Sequence, residues 1–167
     1  MALEDTTFTF TENALQYSLD DGITWITLPA GTTTPTIETG NTIMWKQTGL
    51  TPTNGSGMGT FSSTGNFSAY GNVMSLYYGD DFEGQKDLTG KNYAFKELFF
   101  GCIKLTDASN IKLPAVTLSE YCYASMFSGC KLLTTAPILP AEVLVSHCYW
   151  EMFYMCSKLN YIKCFAS

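Results

Sequence analysis

An internal repeat limits the possible folds of this chain more than any other sequence feature. Residues 113–137 read LPAVTLSEYCYASMFSGCKLLTTAP, and residues 139–162 read LPAEVLVSHCYWEMFYMCSKLNYI. Equivalent positions keep a constant spacing, so that 122 aligns with 148, 127 with 153 and 130 with 156. A fixed period of about 20 to 30 residues is typical of a solenoid, in which each unit buries its apolar face only against its neighbours.

A more divergent third copy lies upstream, at residues 92–102, and aligns with residues 120–130. The spacing between this copy and the next is slightly larger than the spacing between the other two copies. We place the additional residues in a loop between elements, where extra length costs little free energy. The register of the three copies predicts a shared apolar core. Its predicted members are Leu98, Phe99, Cys102, Cys122, Tyr123, Met126, Phe127, Cys130, Cys148, Tyr149, Met152, Phe153 and Cys156.

Two different periods alternate within a unit. Apolar residues at positions 122, 123, 126, 127 and 130 follow the i, i+1, i+4, i+5, i+8 spacing of one helix face. Gly129 near the end of this stripe is a plausible helix stop. Residues 132–140 are too short and too rich in proline for a helix, and predict a short strand followed by a turn. Each unit is therefore predicted to be one short helix plus one short strand.

The pattern LPAxxLxxxCYxxMFxGCxxLTxAP resembles the BspA-like leucine-rich repeats of gut Bacteroidetes and their phages. Residues 122–130 carry the Cys-Tyr, Met-Phe and Gly-Cys pairs of that family, and residues 148–156 carry them with Met155 in place of the glycine. The resemblance covers roughly the C-terminal half of the chain. It implies a surface-exposed recognition or adhesion module rather than an enzyme.

The N-terminal half has the short alternating segments of an antiparallel β-sheet protein. Strands are predicted within residues 4–11, 15–19, 23–28, 42–46, 60–62, 66–70 and 72–78. Asp20-Asp21-Gly22 lies between two of these segments and predicts a hairpin. Residues 79–85 are charged and glycine-rich, as expected of a linker. The predicted fold class is α+β, with a β-sandwich-like domain at 1–85 and leucine-rich repeats at 86–167.

Composition argues against several kinds of partner. The chain has a formal net charge of −6, and all nine basic residues are lysine. Positions 1–85 hold one lysine and nine carboxylates, so the acidic excess lies there. Neutralising phosphates needs clustered Lys and Arg, which argues against nucleic acid and against an anionic membrane surface. No run of about 20 apolar residues predicts a membrane span, and the N-terminus lacks a secretion signal. A mature or trimmed chain, a phage protein and a cytoplasmic protein all fit this last observation.

The six cysteines are predicted to be reduced. Five of them occupy repeat positions, and the register places Cys164 with them in the apolar core. Cysteines eight positions apart on a helix, or on neighbouring helices, exceed the Cα separation of about 7 Å that a disulfide tolerates.

No catalytic, metal or cofactor site is predicted. The densest carboxylate cluster, Asp80, Asp81, Glu83 and Asp87, lacks the spacing of an EF-hand and is expected to be a solvated linker. His147 beside Cys148 is expected to be an exposed helix residue, because neighbouring helical side chains diverge by about 100°. A zinc site needs about four convergent ligands, and the sequence pattern does not supply them.

Aromatic residues are the best ligand-binding candidates. Trp25, Trp45 and Tyr70, with Tyr77 and Tyr78, have two interpretations: a sugar-stacking face, or simply the core of the sandwich. Trp150 lies beside the repeat stripe, off the predicted core face, and is a separate candidate for contact with a ligand.

These observations predict a non-enzymatic module at the cell surface or outside the cell that binds a host or bacterial surface protein or a glycan. The alternative is a structural component of a phage or prophage virion or tail fibre. The absence of a capping element after the last repeat predicts either a longer chain or a subunit that covers this end, as in a homo-oligomer. A glycan-active enzyme using Asp20, Asp21, Asp80 or Asp81 is the third possibility.

Overall fold

A computed structural model describes residues 1–47, 52 and 55–166. The fold in this part of the chain is α+β and consists mainly of short strands. The elements are β1 (Phe8–Phe10), β2 (Leu15–Ser18), β3 (Ile26–Leu28), β4 (Met44–Lys46), β5 (Phe61–Ser63), β6 (Phe67–Asn72), α1 (Ser75–Tyr78) and β7 (Leu105–Lys112). A 3-10 turn, Gly79–Phe82, follows α1 directly.

The antiparallel strands form two small sheets. β2 pairs with β3 on one side and β4 on the other, and β1 pairs with β5. The predicted hairpin is confirmed, since Tyr17 lies opposite Ile26 and the chain reverses at Asp21 and Gly22 with φ angles of 56° and 87°. Both angles lie in the left-handed region that an Asp-Gly pair enters at low cost.

β6 departs from the predicted antiparallel sandwich. It pairs in parallel with β7, bringing Phe67 opposite Leu105 and Asn72 opposite Lys112. The predicted strand at 72–78 is also wrong beyond Asn72, the last residue of β6, because a turn and the one-turn helix α1 follow. The β6–β7 pair joins a strand before the predicted domain boundary at residue 85 to a strand after it. A single cluster of buried apolar side chains also includes residues from both halves of the chain. The division into two domains remains a prediction.

The helices predicted for the repeats do not form. Residues 91–102, 119–130 and 145–156, here called turn segments 1, 2 and 3, consist of consecutive tight turns. Every fourth residue has a positive φ of 51° to 78°; these residues are Tyr93, Glu97, Gly101, Tyr121, Ser125, Gly129, His147, Glu151 and Met155. Two inward-facing residues therefore alternate with two outward-facing ones at a period of 4. Over a stretch as short as 122–130 this period produces the same apolar spacing as a helix of period 3.6.

Backbone hydrogen bonds join the turn segments to one another. Within each segment, alternate N–H groups donate to the carbonyl three residues earlier, as Ala124 does to Tyr121. The intervening N–H groups donate across to the next segment, as Tyr123 does to the Cys148 carbonyl at 2.9 Å. Ten such bonds, 2.7–3.3 Å long, connect segment 1 to 2 and segment 2 to 3. This division of donors satisfies the backbone of a buried segment that is neither helix nor sheet.

The side chains of the turn segments stack in register as the backbone does. Phe61, Phe99, Phe127 and Phe153 form one column, with ring centroids 5.4–5.6 Å apart. A second column consists of Phe95, Tyr123 and Tyr149, at 5.5 and 5.8 Å. All thirteen predicted core residues are buried except Tyr149 and Phe153, which are half-buried. The first column begins at Phe61 of β5, so the N-terminal half contributes a layer to the stack.

All six cysteines are free thiols, and two of them extend the inter-segment contacts. Cys130 Sγ lies 3.1 Å from the Phe99 carbonyl, and Cys156 Sγ lies 3.0 Å from that of Phe127. Burial raises the pKa of both Cys102 and Cys122 to about 12, because a thiolate there would lose its hydration. The core placement of Cys164 is wrong, since this thiol is exposed.

We expect Gly129→Ala to destabilise the protein more than Gly101→Ala. Both glycines have positive φ, so alanine costs about 1 kcal/mol at either position. A Cβ at Gly129 would also meet the Gly101 Cα at 3.3 Å, whereas a Cβ at Gly101 meets nothing within 4 Å. Urea unfolding should therefore give a loss of about 2 kcal/mol for Gly129→Ala and about 1 kcal/mol for Gly101→Ala. Equal losses would contradict the close stacking of segments 1 and 2.

We expect native alkylation with iodoacetamide at pH 8 to modify Cys164 alone. The other five thiols are buried, and the raised pKa of Cys102 and Cys122 leaves almost no thiolate. Denaturation without reductant should expose all six to alkylation, as measured by intact mass. Fewer than six modifications after denaturation would show that disulfides form, and several under native conditions would contradict the buried positions.

Candidate functional site

A cleft of about 330 Å³ opens between β4, β6 and α1. Trp25, Trp45 and Tyr70, three of the four aromatic residues predicted to bind ligand, line this cleft together. They come from positions far apart in the sequence. The pairing of β4 with β2 places Trp45 in one sheet, and Phe8 joins it to β6 by contacting both Trp45 and Phe67. Trp150 lies elsewhere, in turn segment 3.

The floor of the cleft is the protein core itself. Phe8, Phe61 and Phe67 are among its lining residues and are each at most 4% exposed. The half-buried Trp45 packs against this floor, with its ring centroid 5.1 Å from that of Phe61 and 6.1 Å from that of Phe8. The two interpretations of Trp45 are therefore compatible, because one part of its side chain packs in the core while the residue lines the cleft.

A charged pair lies at the mouth of the cleft. Lys46 Nζ lies 2.8 Å from both carboxylate oxygens of Asp80 and 4.1 Å from the centre of the Trp25 ring. The Lys46 side chain is only 13% exposed, whereas that of Asp80 is 81% exposed. The ammonium is thus held between an indole face and a carboxylate whose outer side remains open to solvent.

Several polar groups of the lining are already occupied by other parts of the chain. The Trp25 indole N–H donates to the Gly22 carbonyl at 3.0 Å. The Ser75 hydroxyl is within 3.2 Å of the carbonyls of Trp45 and Asn72, and the Asn72 side-chain oxygen accepts from the Met74 N–H. These bonds fix the cleft walls and leave an interior that is predominantly apolar.

Trp150 belongs to a second aromatic arrangement that sequence reasoning missed. Tyr93, Tyr121 and His147 stack in a column at 5.2 and 4.5 Å, one from each turn segment. Trp150 is 48% exposed, as predicted, and lies edge-on to the rings of Tyr121 and His147. The equivalent spacing of Tyr121 and His147 was the available signal, but the helical interpretation leaves both positions outside the core stripe.

His147 and Cys148 do not form a nucleophile pair. His147 is exposed, as predicted but on a turn and not a helix, and its Nδ1 lies 2.7 Å from the Ser146 hydroxyl. Cys148 is 3% exposed and belongs to the core.

Three of the carboxylates considered for metal binding or catalysis have local partners. Asp20 accepts hydrogen bonds from Thr24 and, to a lesser extent, from Ser18, which lower its pKa to about 2 and secure the hairpin turn. The Asp87 carboxylate accepts from the Thr89 N–H, and Asp80 pairs with Lys46. Over residues 1–47, 52 and 55–166, His, Cys, Asp and Glu side chains form no group of three or more suited to a metal ion.

Among the residues that the structure describes, no helix has both the length and the apolar character needed to cross a membrane. The chain matches no family model, no curated protein and no solved structure.

We expect Lys46→Met to lower the free energy of unfolding by about 1 kcal/mol at low salt, because methionine keeps the apolar stem but removes the ammonium from Trp25 and Asp80. Asp80→Asn should cost less, below about 0.5 kcal/mol, because the carboxylate is largely solvated. Urea unfolding measures both, with the exposed Lys131→Met as the control. A Lys46→Met loss no larger than the control would contradict the contact with Trp25.

Proposed function

We propose that this protein is a non-enzymatic recognition module of the BspA-like leucine-rich-repeat class, acting at a cell surface or outside the cell. Its ligand is a protein or a glycan, and the aromatic cleft is its binding site. The single observation that carries the proposal is the cleft of about 330 Å³ lined by Trp25, Trp45 and Tyr70. Concave, mostly apolar sites with a few placed polar groups are where proteins usually bind ligands.

The regular stacking of the three turn segments supports the repeat part of this proposal. Inter-segment hydrogen bonds run at fixed offsets, and cysteine thiols lie at equivalent positions beside backbone carbonyls. This is the neighbour-only packing expected of a short solenoid. The stack supports the cleft through Leu98 and Phe99, which belong to turn segment 1 and reach the cleft lining.

A structural role in a phage virion or fibre is the second candidate, and turn segment 3 favours it. The N–H groups of residues 147, 149, 151, 153 and 155 have no hydrogen-bond partner among the described residues. Val143, Tyr154, Met155 and Tyr161 are 58–74% exposed nearby. Unpaired donors beside exposed apolar side chains are suited to an assembly interface.

We expect Tyr70→Ala to abolish binding to whatever ligand the wild-type chain selects from peptide and glycan arrays. Tyr70 is 55% exposed and lines the cleft, so its loss should remove a contact without unfolding the protein. Tyr154→Ala is the matched control, since Tyr154 is 58% exposed and lies in turn segment 3. Array signals confirmed by calorimetry measure the effect.

If Tyr154→Ala abolishes binding and Tyr70→Ala does not, the binding site lies outside the cleft. Array signals absent for the wild-type chain, together with a stable oligomer in light scattering, would favour the structural role.

A further inference from the structure

We propose that the group entering the cleft is a large apolar side chain of a polypeptide, flanked by Lys or Arg, and not a sugar ring. This inference rests on the proposed function, because it names the ligand class of the same site. It is carried by three observations: the apolar floor, the internal use of the wall's polar groups, and the charge at the mouth.

The floor cannot recognise hydroxyl groups. Phe8, Phe61 and Phe67 come from the buried core and offer only carbon atoms to the cavity. A sugar ring pushed against them would lose hydrogen bonds to water without replacement, which is costly for each hydroxyl. An aromatic or branched aliphatic side chain loses no such bonds and gains the full benefit of burial.

The walls offer little compensation. The Trp25 indole N–H, the Ser75 hydroxyl and the Asn72 side-chain oxygen already have partners within the chain. A hydroxyl-rich ligand could use the Trp25 N–H or the Ser75 O–H as a donor only by breaking these bonds, and their loss would disturb the walls. The interior of the cleft therefore favours a ligand group that is large and apolar.

The mouth selects by charge. Asp80, Asp81 and Glu83 are exposed on the segment that runs past the lining residue Phe82, and they outnumber the two cations of the lining, Lys46 and the Met1 ammonium. The outer side of the Asp80 carboxylate is open, so it can accept a further hydrogen bond from a basic side chain. Positions 1–85 carry nine carboxylates against one lysine, which extends the same preference over a wider surface.

The test uses four probes with the full chain carrying Trp150→Phe, so that the fluorescence of the two remaining tryptophans, Trp25 and Trp45, reports on the cleft. The probes are Ac-Lys-Phe-Lys-NH2, Ac-Lys-Ser-Lys-NH2, Ac-Glu-Phe-Glu-NH2 and maltotriose. We expect the first to bind at least tenfold more tightly than each of the others, since it alone supplies both apolar burial and matching charge.

Two sets of variants make the result specific. Tyr70→Ala should weaken Ac-Lys-Phe-Lys-NH2 at least fivefold, whereas Tyr154→Ala should leave it unchanged. Asp81→Asn with Glu83→Gln should weaken it several-fold and reduce its salt dependence, because both side chains are exposed and contribute charge only.

Equal binding of the Phe and Ser peptides would overturn the inference, because it would reduce the interaction to surface charge. Maltotriose binding that depends on Tyr70 would also overturn it, while leaving the cleft as the recognition site. If no probe binds in a Tyr70-dependent manner, the inference is wrong, and the array experiment with Tyr70→Ala still decides the proposed function separately.

Discussion

The structure depends on the way that the turn segments divide their backbone donors. One N–H in each pair closes a turn within its own segment, and the other bonds to the next segment. A helix would use every N–H internally and leave segments to meet through side chains alone. Here the backbone itself fixes the register between layers, which explains why phenylalanine, tyrosine and cysteine of successive layers coincide so closely.

The cleft follows from how the stack begins. The first segment presents carbonyls on its outer side, and residues 57–61 cover two of them, those of Lys96 and Leu98: the Phe61 N–H donates to the Leu98 carbonyl at 2.8 Å. Gly57 approaches so closely that a Cβ there would overlap the Lys96 carbonyl. The N-terminal half is thus bound to the stack by backbone contacts at residues 57–61, and α1 contacts it through Tyr77, whose ring centroid lies 6.3 Å from that of Phe95. The cleft opens between β4, β6 and α1, and Phe61, which ends the aromatic column, forms part of its floor against Trp45.

The sequence predicted the repeat, the register of the buried positions and the Asp-Gly hairpin, because each depends on residues close in the chain. It predicted helices wrongly, because periods of 4 and 3.6 place the same residues inward over a stretch this short. Apart from Gly101 and Gly129, residues at the left-handed positions, such as Tyr121 and Ser125, carry no preference for that conformation. The parallel β6–β7 pair and the cleft join residues far apart in the chain, which local patterns do not encode. Trp25, Trp45 and Tyr70 could be selected individually by residue type, but not as neighbours.

The division of donors also restricts how the stack can assemble. Turn segment 3 presents N–H groups at residues 147, 149, 151, 153 and 155, and a partner that buries this edge must supply acceptors to satisfy them. Two copies of the chain meeting symmetrically through this edge would bring donors against donors, and on segment 1 the equivalent carbonyls of Lys96 and Leu98 are already covered by residues 57–61. A two-fold dimer through this edge would therefore have to rely on side chains such as Tyr154 and Met155, leaving the backbone donors to water. An assembly that pairs these backbone donors instead requires a different chain segment with exposed carbonyls. The direction of the hydrogen bonds therefore distinguishes an interface made by side chains from one made by backbone pairing.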